Sequence, residues 1–325
     1  DPQDFFINLR GKKVIIDEIH RLSNPSEVLK IGADYFQDTK IIATGSSSLN
    51  ASMKFKDTLT GRKSNLWLLP MILADMNDFG NTNINHRLER GGLPPFFLSK
   101  EYPETEFQQW LDDFWSKDIQ NLFRLEKKYS FTKFMELLFS QSGGIFEANK
   151  FARPCEASRT TISNYLKVLE ETMICYVIRP FSSYKPSEII SAPKVYAFDT
   201  GFVNYWREFG RPSKEGYGVL WEHFVLNEIY AHLQHKIVYY WRDKRGHEVD
   251  FVVCRNKLRP VVIECKLKVE SFDPAGLIAF RKQYPYGKNF VVVPNLPMSF
   301  VKTFKNIKVN FIMLSDLKEV LTNLI

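Results

Sequence analysis

The feature that most constrains this chain is a strand, helix, strand unit in its first sixty residues. Lys13–Ile16 is a short, mostly apolar run that ends in two acids, Asp17 and Glu18. A helical stretch from about Pro25 to Phe36 follows. A second apolar run, Lys40–Thr44, then ends in Gly45 and three serines. Strands joined through a helix lie side by side in parallel, because the crossover is too long for a hairpin and packs back on the sheet with one hand. Polar residues at both strand ends put any site at the carboxyl edge of that sheet.

The residue types at that edge suit phosphate chemistry. Val14-Ile15-Ile16-Asp17-Glu18 has the Walker B form of an apolar strand followed by two carboxylates. Asp17 can hold Mg²⁺ through its water shell and so neutralise charge on phosphates, while Glu18 can orient and polarise an attacking water. An ordinary strand end satisfies the same pattern. The second strand adds context, because Ile41-Ile42-Ala43-Thr44-Gly45-Ser46 offers a hydroxyl, Thr44 or Ser46, at a sensor position reaching the γ-phosphate or the water. A plain Gly/Ser turn is the alternative. Leu59-Thr60-Gly61-Arg62 places an arginine after a flexible glycine. It can act as a finger from a neighbouring subunit, which implies a homo-oligomer, or stand as a surface arginine.

Further along, residues 61–125 look helical and aromatic-rich, broken at Arg90-Gly91-Gly92-Leu93-Pro94-Pro95, where a helical lid is expected to follow the core. From Phe131 to Phe181 the pattern is helix, Gly143-Gly144 break, short helix ended by Pro154, a helix Arg159–Glu171 capped by Ser158, then a strand. That is the layout of a winged helix-turn-helix. Between Phe146 and Met173 four Lys/Arg meet four Asp/Glu, a balance that is weak for a DNA reader and fits a protein contact or a structural role as well. Residues 192–325 return to α/β. Strands are expected at Lys194–Asp199, Ile237–Trp241, Glu248–Cys254, Pro260–Cys265 and Asn289–Val293, with helices at Leu220–His232 and Gly276–Tyr284.

A second constellation lies in that last part. Trp241-Arg242-x-x-x-Gly246-x-Glu248-Val249-Asp250-Phe251 is followed by Val261-Val262-Ile263-Glu264-Cys265-Lys266. Residues two apart on a strand share a side, so Glu264 and Lys266 converge while Cys265 points away. This is the D…E-x-K arrangement of restriction-endonuclease-like folds. Asp250 and Glu264 would hold Mg²⁺ or Mn²⁺, Lys266 would position or activate the nucleophile at a phosphodiester, and Glu222 on the preceding helix fits a further acid ligand. A salt-bridged cluster without metal satisfies the same residues. From Trp241 to Glu270 eight Lys/Arg face five Asp/Glu, so any nucleic-acid attraction is expected to concentrate there.

The order I-I-D-E-I, A-T-G-S-S-S, T-G-R, R-G-G-L-P-P, and then W-R-x-x-x-G-x-E-V-D-F with I-E-x-K, resembles the AAA+ ATPases of the AAA_14/DUF4143 family over nearly the whole chain. The resemblance implies an α/β multidomain protein with three parts. These are a partial AAA+ parallel sheet with helical lid over 1–125, a winged helix-turn-helix over 126–190, and a restriction-endonuclease-like DUF4143 domain over 191–325. It implies ATP and Mg²⁺ as cofactors and ATP hydrolysis as the activity, with DNA as a candidate partner. A metal-dependent nuclease and a non-catalytic DNA- or protein-binding module are the alternatives. One departure is plain. Such ATPases carry G-x-x-x-x-G-K-S/T ahead of the Walker B strand, and the motif occurs nowhere in these 325 residues. Sixteen residues precede Asp17 and position 1 is Asp, so the expectation is a chain that has lost its N-terminal segment and binds ATP poorly, with a natural pseudo-ATPase as the other possibility.

Composition excludes some classes. No apolar run approaches the ~18–20 residues that span a bilayer. Asp1–Gly11 has no apolar core of a signal peptide. The four cysteines, Cys155, Cys175, Cys254 and Cys265, form no C-x-x-C pair and ask for no oxidising compartment. A cytoplasmic protein without membrane contact is expected. The net charge of +7 fits either a polyanion partner or a solvated lysine-rich surface.

Overall fold

The computed structural model describes residues 1–45, 59, 61–120, 127–182, 192–208, 210–234, 237–255 and 258–323. Its first unit holds α1 (Pro2–Ile7), β1 (Lys13–Ile16), α2 (Pro25–Tyr35) and β2 (Lys40–Ala43). β1 and β2 pair in parallel in the register Lys13↔Lys40 to Ile16↔Ala43, as the strand, helix, strand pattern requires. Asn24 caps α2 by accepting from the Glu27 N–H, and Pro25 takes the first-turn position where its missing donor costs nothing. Phe6 is fully buried on one face of the pair. Gly32 lets α2 close on β2: a Cβ there would stand 2.4 Å from Ile41 Cδ1. The other face carries Ile15 and Ile42, which are 71% and 62% exposed.

A helical region follows, with α3 (Leu73–Asp78), α4 (Ile84–Arg90), α5 (Pro94–Phe97), α6 (Glu104–Phe114) and one π-helical turn, Trp115–Ile119. Next come α7 (Lys128–Ser140), α8 (Ala148–Ala152) and α9 (Arg159–Glu171). The Ser158 hydroxyl accepts from the Thr161 N–H at 3.0 Å and starts α9. Its apolar side, Ile162, Tyr165, Leu166 and Leu169, is buried, and Tyr165 meets Phe131 of α7 edge to face at 5.1 Å.

The remaining strands form one mixed eight-stranded sheet. They are β3 (Cys175–Pro180), β4 (Lys194–Ala197), β5 (Val238–Arg242), β6 (Glu248–Val253), β7 (Val261–Cys265), β8 (Asn289–Val293), β9 (Phe300–Phe304) and β10 (Ile307–Met313), in the order β4-β3-β5-β6-β7-β8-β10-β9. β3 pairs with β4 antiparallel and with β5 parallel, so the strands that follow α8 and α9 continue directly into the large sheet. Between them run α10 (Thr200–Glu208), the long α11 (Lys214–Leu233), α12 (Ala275–Gln283) and α13 (Leu314–Thr322).

Helices cover both faces of the sheet. On one, Phe251, Ile263 and Val292 pack into the large core with Trp221 and Phe224 of α11; on the other, Val252, Val262 and Val291 pack with Phe280 of α12. α11 is buried over most of its surface, as a helix between sheet and helical region must be, and holds the polar residues His223, Asn227 and Glu228 among its buried apolar ones. No helix among the described residues is long and apolar enough to cross a membrane.

The R-G-G-L-P-P break has a packing reason. Arg87, fully buried, donates to Met71 O and to the Thr200 hydroxyl and stands 3.8 Å from Asp199. Asp199 accepts from the backbone N–H of Gly92 at 2.6 Å and of Gly201 at 2.9 Å. Gly91 has φ +86°, and a Cβ there would stand 2.0 Å from Asp199 Oδ1. Only glycine meets both demands. The motif thus ties α4 to the start of α10, more than a hundred residues later.

Candidate functional site

The carboxyl edge of the small parallel sheet gathers three of the residues expected there. The Thr44 hydroxyl donates to the Asp17 carboxylate. The Glu18 N–H donates to Thr44 Oγ1 at 3.3 Å, and the backbone pairing runs on through Thr44 N–H to Ile16 O and Ile19 N–H to Thr44 O. Two strand ends are thereby locked with a hydroxyl against an acid. Glu18 adopts a left-handed backbone (φ +50°, ψ +48°), which costs an L-residue roughly 1 kcal/mol and turns the chain sharply after Asp17. Its carboxylate lies 3.0 Å from His20 Nδ1.

Arg62 is not free in this arrangement. Its Nε donates to Asp34 Oδ1 on α2 at 2.6 Å, and this guanidinium lowers the Asp34 pKa. Arg62 borders a cavity of 410 Å³ with Ile19, Leu29, Ile41 and Leu59. Ser46, the other sensor candidate, lies outside the described residues.

The large sheet builds the second site. Asp250 stands on β6, Glu264 on β7, Lys266 just past the end of β7 and Glu222 on α11. Lys266 Nζ lies 2.9 Å from Asp250 Oδ2 and 2.8 Å from Glu264 Oε2. Asp250 Oδ2 also accepts from the Cys265 N–H at 2.8 Å. The residues of the spaced D…E-x-K pattern therefore do converge, as same-side positions on neighbouring strands should.

Two further residues join them that the motif does not contain, Lys194 and Tyr196. Lys194 on β4 pairs with Glu248 and stands 3.7 Å from Glu222 Oε1. The Tyr196 hydroxyl, two residues on, donates to Glu222 Oε1 at 2.5 Å. The signal in the sequence is a lysine opening an apolar strand, since a buried lysine requires a paired acid. The partners themselves are 28 and 54 residues away and carry no spacing cue.

Electrostatically the cluster is four carboxylates interleaved with two ammonium groups, mostly shielded from water. Burial pushes the Glu264 carboxyl well above its usual range, reinforced by Asp250, and burial likewise raises Glu222. For Asp250 burial acts the same way, but Lys266 and Lys194 outweigh it and hold the group low. Burial opposes the charge on both lysines, yet Asp250 and Glu264 keep Lys266 protonated, and Glu222 and Glu248 do so for Lys194. Among the described residues no three acidic, histidine or cysteine side chains stand ready as a metal cage. Asp250, Glu264 and Glu222 carry the hard carboxylate oxygens that a divalent cation would need, and Lys266 fills the place between the first two.

Beside the cluster lies a closed polar pair. Ser142 Oγ is 2.7 Å from His223 Nε2 and accepts from the Ala197 N–H at 2.6 Å, while His223 Nδ1 is 2.7 Å from Val219 O. Both residues are buried, and burial pushes the His223 pKa down to about 4. A neutral imidazole with both nitrogens satisfied is a core fixture.

Comparison with known proteins matches successive stretches of the chain to three family models. One is described as an AAA domain, over residues 2–77, one as domain of unknown function DUF8612, over 81–213, and one as domain of unknown function DUF4143, over 217–310. The proteins Rv2008c of Mycobacterium tuberculosis and Mb2031c of Mycobacterium bovis are each 24% identical over 262 residues, 78% of this chain. The chain spans about 58% of the length of these curated relatives. A chain from a Thermococcus gammatolerans assembly of McrB AAA+ hexamers with bound McrC aligns over 89% of this chain and 81% of its own, at 10% identity and a TM-score of 0.29, too low to define a shared fold.

Proposed function

We propose, from the premise that this chain belongs to the ATPase-like proteins joining an AAA domain to DUF4143, that it couples ATP hydrolysis to work on nucleic acid. The observation that carries the ATPase part is the contact of the Thr44 hydroxyl with Asp17 at the edge of a parallel sheet. Mg²⁺, when bound with nucleotide, supplies charge neutralisation at the β- and γ-phosphates. Asp17 is the residue that would hold it, a hard carboxylate oxygen with a hydroxyl fixed beside it. Thr44 keeps that carboxylate oriented. Glu18 would orient a water, its carboxylate then leaving the His20 imidazole that it meets at 3.0 Å. Arg62 would have to leave Asp34 to serve a neighbouring subunit. The G-x-x-x-x-G-K-S/T pattern, whose backbone N–H groups cradle phosphates in such ATPases, does not occur in these 325 residues, and the reading therefore includes weak nucleotide binding by them alone. The test is ATP turnover by the product made from the gene's own start codon beside this 325-residue chain, with Glu18→Gln in both. Turnover by the gene product that survives Glu18→Gln would sink the assignment.

A second reading is favoured by the convergence of Lys266 with Asp250 and Glu264. In it the large-sheet cluster is a metal-dependent, restriction-endonuclease-like site acting on a phosphodiester. A bound Mg²⁺ or Mn²⁺ would supply an activated water and a charge clamp. Asp250, Glu264 and Glu222 would hold the ion, while Lys266, displaced from between them, would stand beside the scissile phosphate. Binding of Mn²⁺, followed by its electron paramagnetic resonance, is expected to be lost in Asp250→Ala. Equal binding by that variant would return the cluster to a purely structural role.

A further inference from the structure

Charge along the helix-turn-helix is neutral in sum but not in place. α9 turns one side to solvent, and that side carries Arg159, Thr160, Ser163, Asn164 and Lys167 over its first nine residues, without an acid. Both of its acids, Glu170 and Glu171, sit in the last turn, where Glu171 stands 3.8 Å from Lys167. In the short helix before it, Lys150 is paired with Glu147 at 2.8 Å. Arg153 and Arg159 are exposed. Glu156 lies in the turn between the helices, at φ +51°. The half of α9 that leads is therefore cationic and rich in hydroxyl and amide groups.

The opposite side of α9 is anchored. Tyr165 packs on Phe131, Phe134 packs on Phe151 of α8, and the Ile174 N–H returns to Leu169 O to begin β3. The presenting face is thus held by a packed core and by the large sheet that β3 enters, which reduces the ordering cost of docking.

We propose that this face of α9 enters the major groove of duplex DNA, with Arg159 and Lys167 on phosphates and Thr160, Ser163 and Asn164 toward base edges. The groove admits one α-helix, and a helix of this kind presents its N-terminal residues to the bases. Cations with short amide and hydroxyl groups complement a polyanion whose groove edges donate and accept, whereas an apolar protein partner would ask for apolar side chains on this face. The inference rests on the reading that the chain acts on nucleic acid, and it names where the contact falls.

The test is fluorescence anisotropy of a labelled mixed-sequence duplex, titrated with the chain at several salt concentrations. Arg159→Glu/Lys167→Glu is compared with Lys282→Glu/Lys318→Glu, which makes the same charge change at exposed positions elsewhere. The α9 pair is expected to weaken binding about tenfold or more and to flatten the slope of log K against log salt by about two, one per lost phosphate contact. The control pair should lose about threefold or less. Equal losses in the two pairs would overturn the α9 surface while leaving the nucleic-acid reading intact. Absence of any salt-dependent binding by the unsubstituted chain would overturn both. Unchanged melting temperatures confirm that the variants are folded.

Discussion

Lys194 Nζ lies 3.7 Å from Glu222 Oε1 although the two stand on different elements, β4 and α11, and its other partner Glu248 begins β6. A single lysine thus joins three elements at the acid cluster. Its charge is there to offset two half-shielded carboxylates, and removing it leaves them without compensation. Lys194→Met is expected to destabilise the chain by about 2–4 kcal/mol at pH 8, below the full cost of breaking a buried pair because Glu222 and Glu248 keep part of their solvent. The loss should shrink at pH 5, where orphaned carboxylates take up protons. Urea unfolding at the two pH values reads this. The double variant Lys194→Met/Glu248→Gln should recover part of the loss, and a loss that ignores pH would assign Lys194 a packing role only.

The tie between Arg87 and Asp199 makes a second prediction. Burial raises the Asp199 pKa, and Arg87 with three backbone N–H donors acts against that. Asp199 lacks room for any other compensation, since Gly91 and Gly92 pack directly on the pair. Arg87→Met is expected to cost about 3–5 kcal/mol. Gly91→Ala should cost at least about 2 kcal/mol from its left-handed backbone and the clash with Asp199 together. Thermal unfolding of the two variants checks this. A Gly91→Ala chain as stable as the parent would mean that α4 and α10 can separate without cost.

Much of this was legible in the sequence, for physical reasons that can be named. α9 is readable to the residue because Ser158 caps it and Ile162, Tyr165, Leu166 and Leu169 keep a helical period. Asp17 and Thr44 were expected together because two strands linked by a helix must pair in parallel. Asp250, Glu264 and Lys266 were expected together because strand residues alternate sides. The rest needed tertiary information. β9 and β10 escape notice because Phe300–Phe304 mixes Lys302 with apolar residues on an exposed edge, and its pairing partner is fixed by the register Ile307↔Phe304. Lys194 looks like an ordinary strand residue until β4 is placed beside α11. The role of Arg90-Gly91-Gly92 was visible only as a break, since Asp199 stands more than a hundred residues away.

The edge of the small sheet yields a third prediction. Thr44 holds Asp17 through one hydroxyl and receives the Glu18 N–H on the same oxygen. Thr44→Val keeps the shape of the strand end and removes both contacts. In the product made from the gene's own start codon, Mg²⁺-dependent ATP turnover is expected to fall by about tenfold to a hundredfold, the scale of a lost orienting group. Thr44→Ser should retain most of it. Equal turnover in Thr44→Val and the parent would separate this hydroxyl from the chemistry.

The buried Ser142–His223 pair gives the chain a pH dependence whose sign follows from its direction. Burial holds the folded His223 pKa at about 4, below the ordinary value near 6.5, so the unfolded chain binds the proton more readily across that interval. The stability that His223 contributes is fully present above pH 6.5 and is lost as pH falls toward 4. The full interval corresponds to about 3 kcal/mol. Glu222 and Glu264, raised by burial, act with the opposite sign, so the profile of the parent chain alone does not isolate the histidine. The difference between the parent and His223→Gln does. Between pH 7 and pH 4 the parent should lose stability relative to the variant by about 2–3 kcal/mol, measured by urea unfolding at each pH. Parallel profiles for the two chains would mean that water reaches His223 and that the Ser142–His223 contact opens in solution.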